Sequence, residues 1–498
     1  MNKYDVIIIG SGLGGLLSAY ILSKNGMKVL VLEKNNQIGG CLQTFTYAGE
    51  KFDTGMHYIG SVEDGQILYR FFKYFSLLND VNLRKLDSEA YDTISIIDKT
   101  YDYAMGFDRF IDKMSGYFPN ERENIKNYIN KINLIASKSP LYNLNEINSQ
   151  VLLNIDSIKL SVNEFIDSIT TNTELRKVLA GNLPLYGGIK NITPLYIHAL
   201  IQKFYINSAY RIVGGSDSIS KSLYKSIIGF GGKVLTNSEV VKINCNTEKA
   251  VSVCLKNGEI LEGNSFISNM HPYEILRMLD THLIRNAYRQ RITSLNNTIS
   301  NFTIYIKFKP NKVKYYNTNF YHYNTPDVWG CENYNLENWP CNFLFMHQAP
   351  KDNSNYATSA VLIAYMRFEE VEKWKHTFVK NRGNDYKEFK INKSKILLNE
   401  LEKKFPGINS NIESYTCSSP LTYRDYTATK DGSMYGILRD KNSPIQSLVS
   451  QKTKIPNLFM TGQNINSHGI LGVTIGALIT CAEYLGMNYL IKQIKNDG

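Results

Sequence analysis

Cysteine is scarce and unpatterned. The 498 residues hold seven, an odd number, and no two form a C-x-x-C pair. That excludes a disulfide framework or a zinc site and fits reduced packing thiols in a cytoplasmic protein. Long apolar runs are missing as well. Outside the N-terminal fingerprint no stretch of about 18 charge-free apolar residues occurs, so no spanning helix is expected. Charge of one sign is never gathered into blocks. The net charge is +11, but the basic residues are scattered through a Lys-, Asn-, Ile- and Tyr-rich chain. With no basic stripe and no recognition motif, nucleic-acid binding is set aside; a weak pull toward anionic lipid is as much as the charge implies. No metal-ligand cluster, nucleophile elbow or paired-acid motif is readable. The first strand starts near residue 4 and leaves no room for a signal peptide.

What is present begins at once. Val6-Ile7-Ile8-Ile9 is β-branched and apolar, as suits a strand buried on both faces. Gly10, Gly12 and Gly15 follow as G-x-G-x-x-G, with Leu13 and Gly14 between them, and a helical pattern opens there. The first glycine allows a tight turn, the second lets backbone approach a pyrophosphate, and the third lets helix pack on strand. The helix N-terminus turns free N–H groups and a positive dipole end to the phosphates. A second strand leads to Glu33 and Lys34, about 20 residues on, where a ribose-binding acid is expected. NAD and FAD are not separated by this alone. The length predicts two or three domains, and 43% hydrophobic residues suffice for a large core.

Two further segments narrow the reading. Gly39-Gly40 leads to Thr44-Phe45, and Phe52-Asp53-Thr54-Gly55-Met56-His57-Tyr58-Ile59-Gly60 follows. Together they resemble the all-trans-retinol 13,14-reductase branch of the phytoene desaturase and carotenoid isomerase family, in which such segments approach the flavin. Gly214-Gly215, Ser419-Pro420-Leu421-Thr422 and Gly432 to Gly436 resemble other passages of that family. At the C-terminus, Asn457 to Gln463, then Gly469 to Val473 and a helix from Thr474, resemble its second flavin motif. Gln463 stands where related flavoenzymes often have an acid; an amide can still hydrogen-bond a ribityl hydroxyl.

The resemblance implies an α/β fold: a glutathione-reductase-type FAD-binding Rossmann domain with an inserted α+β substrate domain containing an antiparallel sheet. Residues 1–85, 205–275 and 440–498 are expected to form the first, and 86–204 with 276–439 the second. FAD is the implied cofactor. Its expected contacts are Gly10, Gly12, Leu13, Gly14, Gly15, Glu33, Lys34, Gly39, Gly40, Thr44, Gly55, Met56, Val240 (by backbone, at the adenine), Gly462, Gln463, Gly472 and Val473. The implied activity is reduction of a carbon–carbon double bond in a hydrophobic polyene or isoprenoid lipid. Desaturation, reduced-flavin cis–trans isomerisation and a flavin-free prenyl-lipid carrier of the Rab GDP-dissociation-inhibitor type are the alternatives, with amine oxidation a further one on the same scaffold. His57 and Tyr58 are the candidate catalytic residues; packing against the flavin is the plainer reading of both. Whether NAD(P)H or another donor supplies electrons stays open, because no second nucleotide motif is readable: Gly229 to Gly232 precedes a strand instead of following one. Oligomeric state is also open. A cytoplasmic location, with peripheral membrane contact, is the expectation.

The remaining chain carries weaker signals. Ile67, Leu68, Phe71, Phe72, Phe75 and Leu78 share one helical face. An interfacial lipid-binding helix and an ordinary packed helix both fit, and the packed one is preferred because such stripes normally face a core. His198, alone in an apolar helix, reads as a packing residue. Ser216 or Asp217 is placed to cap a helix. Residues 233–236 and 239–243 read as a strand pair returning to the first sheet. Asn301 to Lys309 and Ser359 to Phe368 alternate with period two, which predicts an antiparallel sheet with one covered face. The aromatics there suit a core or an apolar pocket.

Overall fold

The computed structural model describes residues 3–145, 155–352 and 354–497. The opening βαβ unit forms as its pattern requires: strand Tyr4–Ile9, helix Leu13–Lys24, strand Val29–Leu32. Every residue of the second strand is buried, as a parallel sheet covered on both faces demands. The parallel core of this sheet runs Lys233–Leu235, Val29–Leu32, Tyr4–Ile9 and Ile260–Ser268, with Leu458–Met460 also parallel to the last. Strands more than four hundred positions apart in sequence, Tyr4–Ile9 and Leu458–Met460, thus flank the same strand, Ile260–Ser268. Their carboxyl ends (Ile9, Leu32, Ser268 and Met460) bring four chain turns to one edge, where ligands bind in open α/β sheets.

Residues 233–235 and 240–245 both join this sheet, but not as a pair. The first lies on its Val29–Leu32 edge; the second pairs antiparallel with Ala250–Leu255 at the far end.

The second sheet has seven strands in the order Ile412–Ser418, Ser300–Phe308, Ser359–Met366, Asn342–His347, Asn319–Tyr323, Asp92–Ile96 and Lys99–Tyr103. It is antiparallel except where Asn319–Tyr323 runs parallel to Asp92–Ile96. The expectation of one covered face is corrected. Phe302, Ile304, Ile306 and Phe308 pack with Leu397, Leu398 and Leu401 of helix Asn384–Lys404. The alternate residues Asn301, Thr303 and Tyr305 are buried too. They face the molecule's interior, where Tyr305 meets Phe45 and Phe52 and Asn301 lines a cavity. The period of two survives because one side is apolar core and the other is the wall of a site.

Helix Ile67–Tyr74 stops four residues short of Leu78, and Leu68, Phe71, Phe72 and Phe75 are buried in the core around the first helix. The packed reading holds for these side chains. His198 is also internal. The hydroxyls of Tyr128 and Tyr186 meet its two ring nitrogens at 2.7 and 2.8 Å, and burial lowers its pKa to about 3. Ser216 sits at the N-cap position of helix Asp217–Gly229 without capping it. Its hydroxyl donates to Asp53 Oδ1 (2.6 Å) and to Leu42 O (3.2 Å), and its N–H donates to the same Asp53 oxygen. Among the described residues all seven cysteines are free and no helix is long and apolar enough to cross a membrane.

Candidate functional site

A cavity of about 420 Å³ starts at the carboxyl edge of the first sheet and runs to the inner face of the second. Two helices point their N-termini into its first half, Leu13–Lys24 from Gly12 and Gly469–Leu485 from His468. Both carry unpaired N–H groups and positive dipole ends there, a setting that suits phosphate and other anions. The C-terminal helix begins at Gly469, five residues before the expected Thr474. Gly472 is therefore inside its first turn, where an added Cβ would lie 2.6 Å from Ser467 O.

Glycine is needed here for approach as well as for turning. Gly10 and Gly462 hold φ of +94° and +95°, a region that favours glycine. A Cβ on Gly14 would lie 2.9 Å from the Cα and N of Gly462; one on Gly40 would lie 3.0 Å from Gly12 Cα. The N-terminal loop, the Gly39-Gly40 turn and the Gly462 turn are thus packed backbone to backbone. Asn269 sits at their junction. Its N–H donates to Ile9 O at 2.9 Å, and its amide would be 2.5–2.7 Å from a Cβ on Gly12, Gly14 or Gly462.

Glu33, almost fully buried, accepts from the Ser11 N–H (3.0 Å) and hydroxyl (2.6 Å) on one oxygen and from the Asn35 N–H (2.9 Å) on the other. A carboxylate has about four acceptor sites, so the second oxygen keeps capacity for a ligand hydroxyl. Lys34 Nζ donates to Asp425 O at 2.6 Å. Gly10, Gly12, Leu13, Gly14, Glu33, Lys34, Gly39, Gly40, Gly55, Met56, His57, Tyr58, Val240, Gly462, Gln463 and Val473 all line the cavity. Gly15, Thr44 and Gly472 do not. Gly15 seats the helix on its strand, since a Cβ there would be 2.1 Å from Gly10 O. Thr44 is buried at the start of a hairpin, paired with Asp53. The glycine cradle, the acid with a spare acceptor site and the two helix N-termini fit an extended dinucleotide.

The second half is apolar and aromatic, walled by Phe343, Leu344, Ile363 and Tyr365 of the second sheet and by Tyr205 and Tyr435. His57 opens on the cavity and is otherwise sheltered from solvent. That shelter and the charge of Arg211 lower its pKa to about 4, so it is neutral near pH 7. Tyr58 is turned differently. Its hydroxyl meets Tyr321 Oη at 2.5 Å and donates to Asp92 Oδ2 at 3.1 Å. Asp92, which also accepts from Asn319 Nδ2 at 2.8 Å, is fully buried, and desolvation raises its pKa to about 7 against the pull of these bonds.

Among the cavity residues absent from the expected contacts are Asn269, Tyr365, Tyr435 and His468. The Tyr365 hydroxyl and His468 Nε2 are buried with no hydrogen-bond partner, although such groups are usually paired. Both face a cavity large enough for a ligand. Asn269 was findable, because it follows a strand whose carboxyl end belongs to the ligand-binding edge. Tyr365 and Tyr435 lie in aromatic segments that suit a core as well as an apolar pocket, and His468 lies in a glycine turn with no signal of its own.

Comparison with known proteins agrees with this geometry. Residues 8–75 match the NAD(P)-binding Rossmann-like domain family. The chain is 30% identical over 535 aligned positions to the all-trans-retinol 13,14-reductase of Rattus norvegicus, covering 98% of this chain and 86% of that one. It is 28% identical to the enzyme of that name from Homo sapiens, covering 99% and 87%. Among solved structures, an oxidoreductase from Methanosarcina mazei superposes with a TM-score of 0.62 at 18% identity, covering 95% of this chain and 99% of that one.

Proposed function

The chain belongs to the all-trans-retinol 13,14-reductase family, and from that premise we propose that it is an FAD-dependent oxidoreductase that saturates a carbon–carbon double bond of a hydrophobic polyene. One observation carries the reading: a dinucleotide cradle of glycine loops and helix N-termini runs without interruption into an aromatic, apolar cavity. A lipid chain gains by leaving water for such a cavity, by about 25 cal/mol per Å² of apolar surface, and few polar groups compete for it. FAD, when bound, supplies the hydride donor and acceptor of the reaction.

The chain's own residues hold and shield. The cradle from Gly10 to Gly14 and the helix N-terminus at Leu13 suit the pyrophosphate, Glu33 a ribose hydroxyl, Val240 the adenine by its backbone, and Gly462, Gln463 and Val473 the flavin end. His57, neutral and facing the cavity, is the group suited to relay a proton to the carbon opposite the hydride, taking one up at one ring nitrogen as it gives one from the other. Tyr58 acts as a positioning residue, anchoring the His57 segment through Asp92 and Tyr321. In this division residues 1–85, 205–275 and 440–498 hold the cofactor, while 86–204 and 276–439 cover the lipid. The seven free thiols support a reducing, cytoplasmic setting.

The test is anaerobic. Protein with photoreduced flavin is mixed with all-trans-retinol, and flavin reoxidation is followed by absorbance. Reoxidation that depends on the polyene, and fails with its fully saturated analogue, is the expected result. Reoxidation by neither, in protein that carries its full complement of flavin, removes the reading.

A further inference from the structure

A second cavity, of about 280 Å³, shares His57 and Met346 with the first and differs from it in chemistry. Arg211 and His347 line it, and both are about 2% exposed. Each has a buried nitrogen without a partner: Arg211 Nε and His347 Nε2. The His347 tautomer follows from its bonds. Nδ1 accepts the Tyr316 N–H at 3.0 Å, so in the neutral ring the proton is on Nε2. Burial and the nearby Arg211 charge keep the ring neutral. His57, Arg211 and His347 line the same recess, and the Arg211 charge acts on both rings.

The guanidinium donates from Nη2 to Thr318 O at 2.8 Å and hydrogen-bonds Tyr315. Among the described residues no carboxylate comes within ion-pair distance of it. The acids around the recess are committed elsewhere. Asp53 takes two hydrogen bonds from Ser216, Glu50 accepts from Thr358, and Asp92 is held by Tyr58 and Asn319. Lys51 is spent on Asp217 at 2.5 Å. Asp92 attracts Arg211 from beyond ion-pair distance, so this buried, permanently charged guanidinium has no hydrogen-bonded counter-ion, which is costly; its free N–H and that of His347, on the wall of one recess, suit the two oxygens of a carboxylate.

We propose that this recess binds the carboxylate of an amphiphilic polyene whose chain lies in the larger cavity, with His57 between head and chain. The proposal rests on the polyene reading of the larger cavity and adds a substrate class to it: lipid acids in preference to the corresponding alcohols. Carboxylate is favoured over phosphate because, among the described residues lining the recess, Arg211 is the one buried cation not paired with an acid, and the exposed Lys351 is offset by Asp352 and Glu50, which oppose a dianion.

The experiment reads binding, not turnover, so its failure is separable from failure of the proposed reaction. Flavin-replete full-length protein is titrated with all-trans-retinoate and with all-trans-retinol, following flavin absorbance and fluorescence. Retinoate is expected to bind about tenfold or more tightly, the size of a charge-assisted hydrogen bond. Arg211→Gln is expected to abolish that preference while leaving retinol affinity within about twofold, and Arg211→Lys to restore part of it. Sorbate, a dienoate too short to fill the apolar cavity, is expected to perturb the wild-type flavin spectrum and not that of Arg211→Gln. Equal affinity for the acid and the alcohol in wild-type protein, which needs no variant, overturns the proposal. So does an Arg211→Gln variant that keeps its flavin and still prefers retinoate. If retinoate is preferred through Arg211 but no polyene is ever reduced, the recess stands and the reaction falls.

Discussion

Gly14→Ala tests whether the two ends of the chain build one cradle. The added methyl would meet Asn269 Oδ1 at 2.7 Å and the backbone of Gly462 at 2.9 Å. The first contact is the end of a side chain and can yield by rotation. The second is backbone on both sides, between the N-terminus of helix Leu13–Lys24 and a turn held at φ +95°. Relief requires the helix end and the Gly462 turn to separate by several tenths of an ångström. Overpacking of this kind costs about 1–3 kcal/mol. If that cost falls on the cofactor-binding geometry, FAD affinity drops by about 5- to 150-fold. The assay is titration of apo-protein with FAD by fluorescence quenching, beside the flavin-to-protein absorbance ratio of the purified variant. Asn269→Ala in the Gly14→Ala background should recover only part of the loss, because it frees the side-chain contact alone. Wild-type FAD affinity in Gly14→Ala would mean that the turns are not held together as described.

Four further outcomes are expected. Acidification should destabilise the protein: His57, His198, His271, His322, His347 and His468 all have folded pKa values lowered to about 3–4, chiefly by burial. The unfolded chain therefore binds more protons as pH falls through 6.5, and stability is lost over that range. Asp92 and Asp53, raised to about 7 and 6, act in the opposite sense but are outnumbered. A Tm at pH 5.0 equal to or above that at pH 7.5 contradicts this. Asp53→Ala leaves the buried Ser216 N–H without its acceptor and the hydroxyl with only the longer bond to Leu42 O, and should cost about 1–3 kcal/mol, read by urea unfolding; an unchanged midpoint counts against it. Tyr58→Phe removes a donor from buried Asp92, so it should lower Tm and raise KM more than it lowers kcat. His57→Ala should lower kcat and leave Tm nearly unchanged. The reverse pattern would move the proton-transfer role to Tyr58.

Local patterns made much of this fold readable. The strand, glycine loop, helix and acid from Val6 to Glu33 are a short-range signal, and each step forms where it was expected. Long-range placement was harder to read. Residues 233–235 and 240–245 look like neighbours, yet they occupy opposite ends of a sheet whose order depends on the Ile260–Ser268 strand inserting between them. Polar alternation in Ser300–Phe308 looks like a solvent face because sequence cannot tell water from a cavity. Of the site, the glycines and Glu33 announce themselves through backbone need and spacing. Asn269 is legible only through its place after a strand of the ligand-binding edge; Tyr365, His468 and Arg211 are not, because each becomes part of a site only when the fold buries a polar atom of it without a partner.

The most direct measurement is the mass of the product. Protein with reduced flavin and all-trans-retinol, incubated without oxygen, should yield a retinol-derived product two hydrogens heavier, in an amount matching the flavin oxidised. A product of unchanged mass, or one two hydrogens lighter formed by oxidised flavin, would contradict the account and turn it to isomerisation or desaturation.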